Sequence, residues 1–335
     1  MKKLKSRGIH LAIPPIAGYH KMLTGFTRAN GALGKTVVNQ YADIKPEMVW
    51  LDLNNPTEQE RQWIKQAYAQ ELQFMEELSE IEASARFYRD EFGMHLNQYF
   101  LVTDYVVTRN VNVAFTLNNG RLFTLHSDEL PALRAFCTQA AKNPEYCAGP
   151  AAILLGIIET RVGLLADLYE RAQNELEPIS QAIFRGDARA MPRVLESLTR
   201  IEDINGKARL GLFENRRAYP NLMRSTEFAE HVETINEILR DVDSLTTHSG
   251  FLADRAKFLM DAAMGMINIS FNRRLNIFTV LSVVLMPPTL IASIYGMNFR
   301  HMPELEWYYG YPLAMLLMVT VAAGPILYLK SKDWL

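Results

Sequence analysis

LNIFTVLSVVLMPPTLIASIYGMNF fills residues 275–299, and WYYGYPLAMLLMVTVAAGPILYL fills residues 307–329. The two runs are 25 and 23 residues long and contain no Lys, Arg, Asp or Glu. A helix needs about 20 residues to cross the hydrocarbon core of a bilayer, whereas an apolar run of about 10–14 is the mark of a buried soluble helix. Two long runs separated only by residues 300–306 therefore read as two membrane spans. Pro287, Pro288 and Pro325 are compatible with this, because neighbouring helices can satisfy the backbone groups a proline frees. Trp307, Tyr308, Tyr309 and Tyr311 gather at one end of the second run, with Tyr328 and Trp334 near the other, as interfacial aromatic belts do.

Working outward, the remainder of the chain is quite different. Of 35 basic and 37 acidic residues, residues 275–335 hold only three of each, so 32 and 34 lie in residues 1–274. A charged body precedes an apolar C-terminal fifth, which argues against a purely soluble enzyme. The formal net charge of −2 gives no support to a nucleic-acid binder, which would carry a basic surplus. Two cysteines, Cys137 and Cys147, cannot build a disulfide framework or a four-cysteine zinc site, and suit a reducing compartment.

Orientation follows from flanking charge. Arg273 and Arg274 precede the first run, Lys330 and Lys332 follow the second, and the intervening loop sets Arg300 against Glu304 and Glu306. The positive-inside rule places the body and both termini in the cytoplasm and residues 300–306 outside. The N-terminal MKKLKSR is followed by a short apolar stretch broken at Pro14-Pro15, which does not read as a signal peptide.

Within the body, EMVWLDL at 47–53 reads as a strand, and Asn55-Pro56-Thr57-Glu58 as a helix start with Asn55 at the cap. VNVAFTL at 111–117 and RLFTL at 121–125 flank Asn119-Gly120, a strong hairpin signal because both turn positions need positive φ. Beyond residue 150, Ile153, Ile157, Ile158, Val162, Leu165, Leu168, Tyr169 and Leu176 recur at helical spacing, and Pro192 and Pro220 bracket a further helical stretch. No proline occurs from Asn221 to Met286. One helix there would be roughly 100 Å long. The reading favoured is such a helix running from the cytoplasm directly into the membrane; the alternative is two or three helices joined at the Ser/Thr/His/Gly run 244–250.

The fold class expected is thus an α+β membrane protein: a cytoplasmic α/β domain at 1–150, a helical stalk at 151–274, a first span at 275–299, an external loop at 300–306, a second span at 307–329 and a cytoplasmic tail at 330–335. Two spans cannot enclose an ion path alone. They either anchor the body or line a path when several copies assemble. Asn272, Leu275, Phe278, Ser282, Met286, Thr289 and Ser293 recur every three or four residues and share one helical face. Four of the seven are polar and uncharged, which suits a water-filled path or hydrogen bonding between packed helices. At the outer end of this face, Gly296 permits close backbone approach and Asn298 offers a neutral amide oxygen.

PPTLIASIYGMNF at 287–299, MPELEW at 302–307, GYP at 310–312 and the terminal WL at 334–335 resemble the CorA magnesium transporter family. IEASARF at 81–87, GRLFTL at 120–125, ELPA at 129–132 and AAMGMINI at 262–269 extend the resemblance over most of the chain from about residue 47, in the manner of Gram-negative bacterial members.

The resemblance implies a homopentameric funnel in the bacterial inner membrane, conducting Mg²⁺ and also Co²⁺ or Ni²⁺. Gly296, Met297 and Asn298 would form the selectivity ring; Thr289 and Asn272 would be polar constrictions, and Met286, Phe278 and Leu275 an apolar gate. Mg²⁺ is expected both as transported ion and as a regulatory ligand bound between cytoplasmic subunits, with Asp261 as the acidic sensor and Asp90 or Glu91 as its partner. Glu304 and Glu306 would concentrate cations at the outer mouth. The expected partners are further copies of the chain, membrane lipid and divalent cations. One departure stands out: the basic cluster that often ends the family is reduced to Lys330 and Lys332 beside Asp333.

Two other readings compete. A zinc transporter of the same superfamily would favour Cys or His ligands, and neither span holds one. A membrane-anchored sensor explains the body but not the polar face ending in Gly-Met-Asn. An enzyme is not expected, since no nucleophile–base pairing, metal-ligand cluster or phosphate-binding glycine loop is legible.

Overall fold

The computed structural model describes residues 22–29, 31–72, 86–103, 108–187, 189–297, 302–303 and 307–331. These divide into two compact units, one formed by the described residues up to Pro178 with Ser197–Lys257, the other by Ile179–Glu196 with those from Phe258 onward.

The first unit is built on a seven-stranded mixed sheet in the order β2-β1-β3-β7-β6-β5-β4. Its strands are β1 (Met22–Ala29), β2 (Ala32–Val38), β3 (Met48–Asn54), β4 (Phe87–Asp90), β5 (Gly93–Thr103), β6 (Thr108–Asn118) and β7 (Arg121–His126). Every neighbouring pair is antiparallel except β3 and β7, which run parallel with Trp50 opposite Leu122 and Asn54 opposite His126. The Asn119-Gly120 turn between β6 and β7 holds both residues at positive φ, 45° and 70°, as the sequence requires. Strand β5 was not legible because three of its buried residues, His95, Asn97 and Gln98, are polar.

Helix α1 (Glu58–Tyr68) corrects the expected cap. Thr57, not Asn55, is the N-cap: its hydroxyl accepts from the Glu60 N–H at 3.2 Å while the Glu60 carboxylate accepts from the Thr57 N–H at 2.6 Å. Asn55 instead takes a left-handed φ of 47° and donates its N–H to the His126 carbonyl at 2.7 Å. The reciprocal box satisfies two orphan donors where a lone Asn cap would satisfy one.

Helices α2 (Pro131–Ala140), α3 (Pro150–Phe184), α4 (Met191–Leu222), α5 (Val232–Tyr295) and α6 (Gly310–Ser331) complete the chain. The apolar series on α3 is buried as its spacing predicts, except that Leu168 is only half-buried. A fully buried Leu or Phe is worth about 1.5–3 kcal/mol.

The stretch 244–250 is uninterrupted helix. Ser249, fully buried, donates its hydroxyl to Asn205 Oδ1 at 2.9 Å, and Asn205 Nδ2 returns a bond to the Ser249 carbonyl at 3.3 Å. Thr246 and Thr247 bond back to the Val242 and Asp243 carbonyls. The polar run is thereby an α4–α5 contact rather than a linker. The bounds of the long helix do shift. It begins at Val232, after a 3-10 turn at Thr226–His231 that Arg89 ties down through both Glu227 oxygens at 2.8 Å. It also continues through Pro287-Pro288 to Tyr295.

Between the sheet and helices α3 and α4 lies a buried polar cluster that the sequence did not announce. Arg161 Nη1 donates to Asn215 Oδ1 at 2.9 Å and Gln98 Oε1 at 3.3 Å, with its guanidinium 4.9 Å from the Phe100 ring centre. Burial holds its pKa below the ordinary value. Beside it Arg86 pairs with Glu214 at 3.1 Å and lies over the Tyr99 ring.

Candidate functional site

Among the described residues two helices, α5 and α6, are long and apolar enough to cross a membrane, and almost none of their most apolar stretch is buried by the chain itself. Exposed apolar surface on this scale needs a cover of lipid or other protein.

On α5, all seven residues of the predicted face are solvent-exposed: Asn272, Leu275, Phe278, Ser282, Met286, Thr289 and Ser293. Ser282, Met286, Thr289 and Ser293 go further and line one shallow open concavity together with Leu281, Leu285 and Leu290. Asn272, Leu275 and Phe278 lie on earlier turns, outside it. Pro287 and Pro288 lack the N–H groups that would reach the Val283 and Val284 carbonyls, so the backbone ladder is interrupted beside this concavity.

The hydroxyls on this face have a defined polarity. Thr289 Oγ1 donates to the Leu285 carbonyl at 2.7 Å, and Ser282 Oγ to the Phe278 carbonyl at 2.9 Å. Each hydroxyl proton is therefore held by the helix, and the oxygen lone pairs remain as acceptors. Acceptors are what a hydrated cation needs, since its bound waters present protons outward.

The helix ends in a tight turn. The Gly296 N–H bonds the Ala292 carbonyl at 3.0 Å and the Met297 N–H bonds the Ile294 carbonyl at 3.2 Å. A Cβ at Gly296 would come within 3.2 Å of the Ala292 oxygen, so the turn favours glycine. Met297 is exposed. Asn298, Glu304 and Glu306 lie outside the described residues.

The expected regulatory acids are exposed. Asp261 stands on α5, and Asp90 and Glu91 at the β4–β5 turn. Asp90 Oδ1 accepts the Phe92 N–H at 2.7 Å and meets His95 Nε2 at 2.9 Å, so one of its oxygens is engaged within its own turn. Among the described residues, no three His, Cys, Asp or Glu side chains of one chain are grouped to hold a metal.

A family model described as the CorA-like Mg²⁺ transporter protein matches residues 45–331, which takes in both candidate spans. The chain belongs to the CorA family. CorA proteins are ion transporters rather than enzymes. The magnesium transport protein CorA of Haemophilus ducreyi is 42% identical over 293 residues, covering 86% of this chain and 92% of its own. That of Escherichia coli K12 is 40% identical over 317 residues, covering 94% and 100%. The complete structure of the CorA magnesium transporter from Methanocaldococcus jannaschii superimposes with a TM-score of 0.70 at 19% identity over 96% of this chain and all of that one. That likeness bears on the fold: mixed sheet, long helix and two C-terminal helices are shared with a CorA transporter.

Proposed function

We propose that the protein is a membrane channel through which Mg²⁺ enters the cell, formed by five copies whose α5 helices surround a common axis. The observation that carries the reading is the exposed face of α5, on which Ser282, Met286, Thr289 and Ser293 share one concavity and the two bonded hydroxyls present oxygen acceptors. Relatives 40–42% identical over most of the chain are named magnesium transport proteins.

The chemistry fits this ion. Mg²⁺ surrenders its water reluctantly and prefers oxygen ligands in octahedral geometry. Neutral hydroxyl and amide oxygens can accept hydrogen bonds from its bound waters without stripping them, and bind weakly enough to release the ion. In this reading Gly296, Met297 and Asn298 form the outer ring, Thr289 and Asn272 polar constrictions, and Met286, Phe278 and Leu275 an apolar gate. Glu304 and Glu306 gather cations outside. Zinc is the poorer candidate, because neither span offers a Cys or His ligand. Co²⁺ and Ni²⁺ remain within the proposed cargo range.

The membrane potential supplies the drive, about 2.3 kcal/mol per charge per 100 mV and twice that for a divalent ion. The charge bias of Arg273, Arg274, Lys330 and Lys332 supports an inner-membrane topology with residues 1–274 and 330–335 in the cytoplasm, 300–306 outside, and spans at 275–299 and 307–329. Internal Mg²⁺ closes the channel by binding between subunits at Asp261 with Asp90 or Glu91; a shared site agrees with the exposure of all three.

The test is Mg²⁺ uptake by proteoliposomes with an imposed inside-negative potential. Potential-dependent uptake that Asn298→Ala abolishes is the expected result. Zn²⁺ uptake without Mg²⁺ uptake, or no flux through an assembled oligomer, overturns the reading.

A further inference from the structure

The two ring nitrogens of His126, the last residue of β7, both face hydrogen-bond acceptors. Nδ1 lies 2.6 Å from the Asp128 carbonyl oxygen and Nε2 lies 3.0 Å from Asp52 Oδ1, with the ring almost wholly buried. A carbonyl oxygen can only accept, so Nδ1 carries a hydrogen. A neutral imidazole has just one, which would leave Nε2 pointing a lone pair at a carboxylate.

A second hydrogen on the ring would complete the set. Trp50 Nε1 donates to Thr124 Oγ1 at 3.2 Å, and Thr124 in turn donates its hydroxyl to Asp52 Oδ1. Asp52 Oδ1 therefore already accepts one hydrogen bond and meets His126 Nε2 as an acceptor. The other buried histidine of the sheet lacks this constraint: His95 Nδ1 faces the Thr116 hydroxyl, which can donate, so one ring hydrogen satisfies its partners.

The place matters as much as the charge. His126 joins three segments: its carbonyl accepts the Asn55 N–H just before α1, its Nε2 holds the end of β3, and its Nδ1 holds the turn that leads to α2.

We propose that Asp52 and His126 form a proton-operated latch, in which a His126 imidazolium fastens the C-terminal ends of β3 and β7 to the turn before α2 and releases one of these contacts when the proton leaves. On deprotonation, acceptor faces acceptor at one ring nitrogen, and either the Asp128 turn or the Asp52 side chain must withdraw.

The surrounding charges agree. Asp128 lies behind Nδ1, its own carboxylate held by Arg109 at 2.6 Å and by Ser127 at 2.9 Å. From α2, Cys137 approaches Asp52 with its thiol pushed up to about 11 by burial, and so stays uncharged; Lys35 of β2 is the nearby cation. Burial would lower the His126 pKa, but Asp52, with Asp128, more than offsets this and raises it above the ordinary 6.5. A raised folded value gives stability that is complete below the unfolded pKa and is lost as pH climbs through the folded one.

The experiment uses full-length protein with ¹⁵N-labelled histidine in lipid vesicles. Solid-state NMR at pH 7.5 is expected to show one doubly protonated imidazole that is absent from His126→Gln. If the resonances removed by His126→Gln belong to a neutral ring, the proposal fails. Should that variant not assemble, Asp52→Asn serves: it is expected to convert the imidazolium to a neutral ring, and an imidazolium that survives it overturns the latch. Thermal unfolding between pH 7 and 9 gives a second readout. The wild-type folding constant should fall by up to tenfold per pH unit relative to His126→Gln, and equal slopes count against it.

Discussion

Gly211 of α4 faces the guanidinium of Arg161 so closely that a Cβ at position 211 would lie 2.7 Å from Nη2. Arg161 cannot swing aside, because Gln98 and Asn215 hold its other terminal nitrogen in a fully buried site. Gly211→Ala therefore displaces a buried charge or the helix that carries the methyl. Overpacking of this kind costs about 1–3 kcal/mol. A lower unfolding temperature for the detergent-solubilised protein is the expected outcome, and unchanged stability would show that the cluster yields freely.

Ser249→Ala removes the hydroxyl that satisfies Asn205 Oδ1 in a buried contact. Leaving that acceptor unpaired should destabilise the α4–α5 contact by about 1–3 kcal/mol. Hydrogen exchange along residues 244–250 should rise in the variant if Ser249 is what keeps this polar run helical.

Thr289→Val keeps the shape of the proposed pore face but removes an oxygen whose proton is already committed to Leu285. An acceptor lost to the waters of a charged ion is worth about 1.5 kcal/mol, or roughly a tenfold drop in rate. Initial Mg²⁺ uptake at fixed potential measures it. Wild-type flux in this variant would move the polar face to the helix-packing role.

Asp261→Ala and Asp261→Lys should weaken inhibition by internal Mg²⁺, raising the half-inhibiting concentration about tenfold or more, the scale of an ordinary coupling energy. Patch recording with controlled internal Mg²⁺ tests this. Wild-type inhibition in both variants removes Asp261 from the regulatory site.

The hydrogen bonds from Arg89 hold the Glu227 carboxyl below its ordinary value of 4.5. A carboxylate with a lowered folded pKa adds stability above its unfolded value and loses it as pH falls through the folded one. The pair is partly exposed, so its effect is about 1 kcal/mol or less. Wild type should unfold at a slightly higher temperature than Glu227→Gln at pH 6, and that advantage should vanish toward pH 3. An advantage independent of pH would mean that Glu227 acts through packing rather than charge.

The parts of this molecule that rest on composition were the most legible. Membrane solvent imposes a length and an absence of charge, and both runs at 275–299 and 307–329 satisfy it without reference to any contact. The Asn119-Gly120 turn was legible because its backbone angles exclude most residues. The cap of α1 was not, since Asn55 and Thr57 are both good caps and only the reciprocal Glu60 bond distinguishes them. Strand β5 was hidden by its own packing: Gln98 is polar because it serves Arg161, one of several charged residues along α3, with nothing local to mark it as the buried one. The exposed face of α5 was visible as a period, but a period does not name what covers it. His126 was one of seven scattered histidines, and its two acceptors come from β3 and from two residues downstream.

The order of parts along the chain has a consequence for how the protein is made. Residues 22–274 leave the ribosome before either apolar run does. Some 149 residues separate the end of β7 from Leu275, so translation at about 5–20 residues per second gives the sheet roughly 7–30 seconds before the first span emerges. During that interval β7 must find β3 across the whole of α1 and strands β4–β6, a non-local closure of the slow kind. The nascent body is thus asked to complete its hardest pairing while still tethered, and the hydrophobic helices reach the insertion machinery attached to a domain that has already had time to fold.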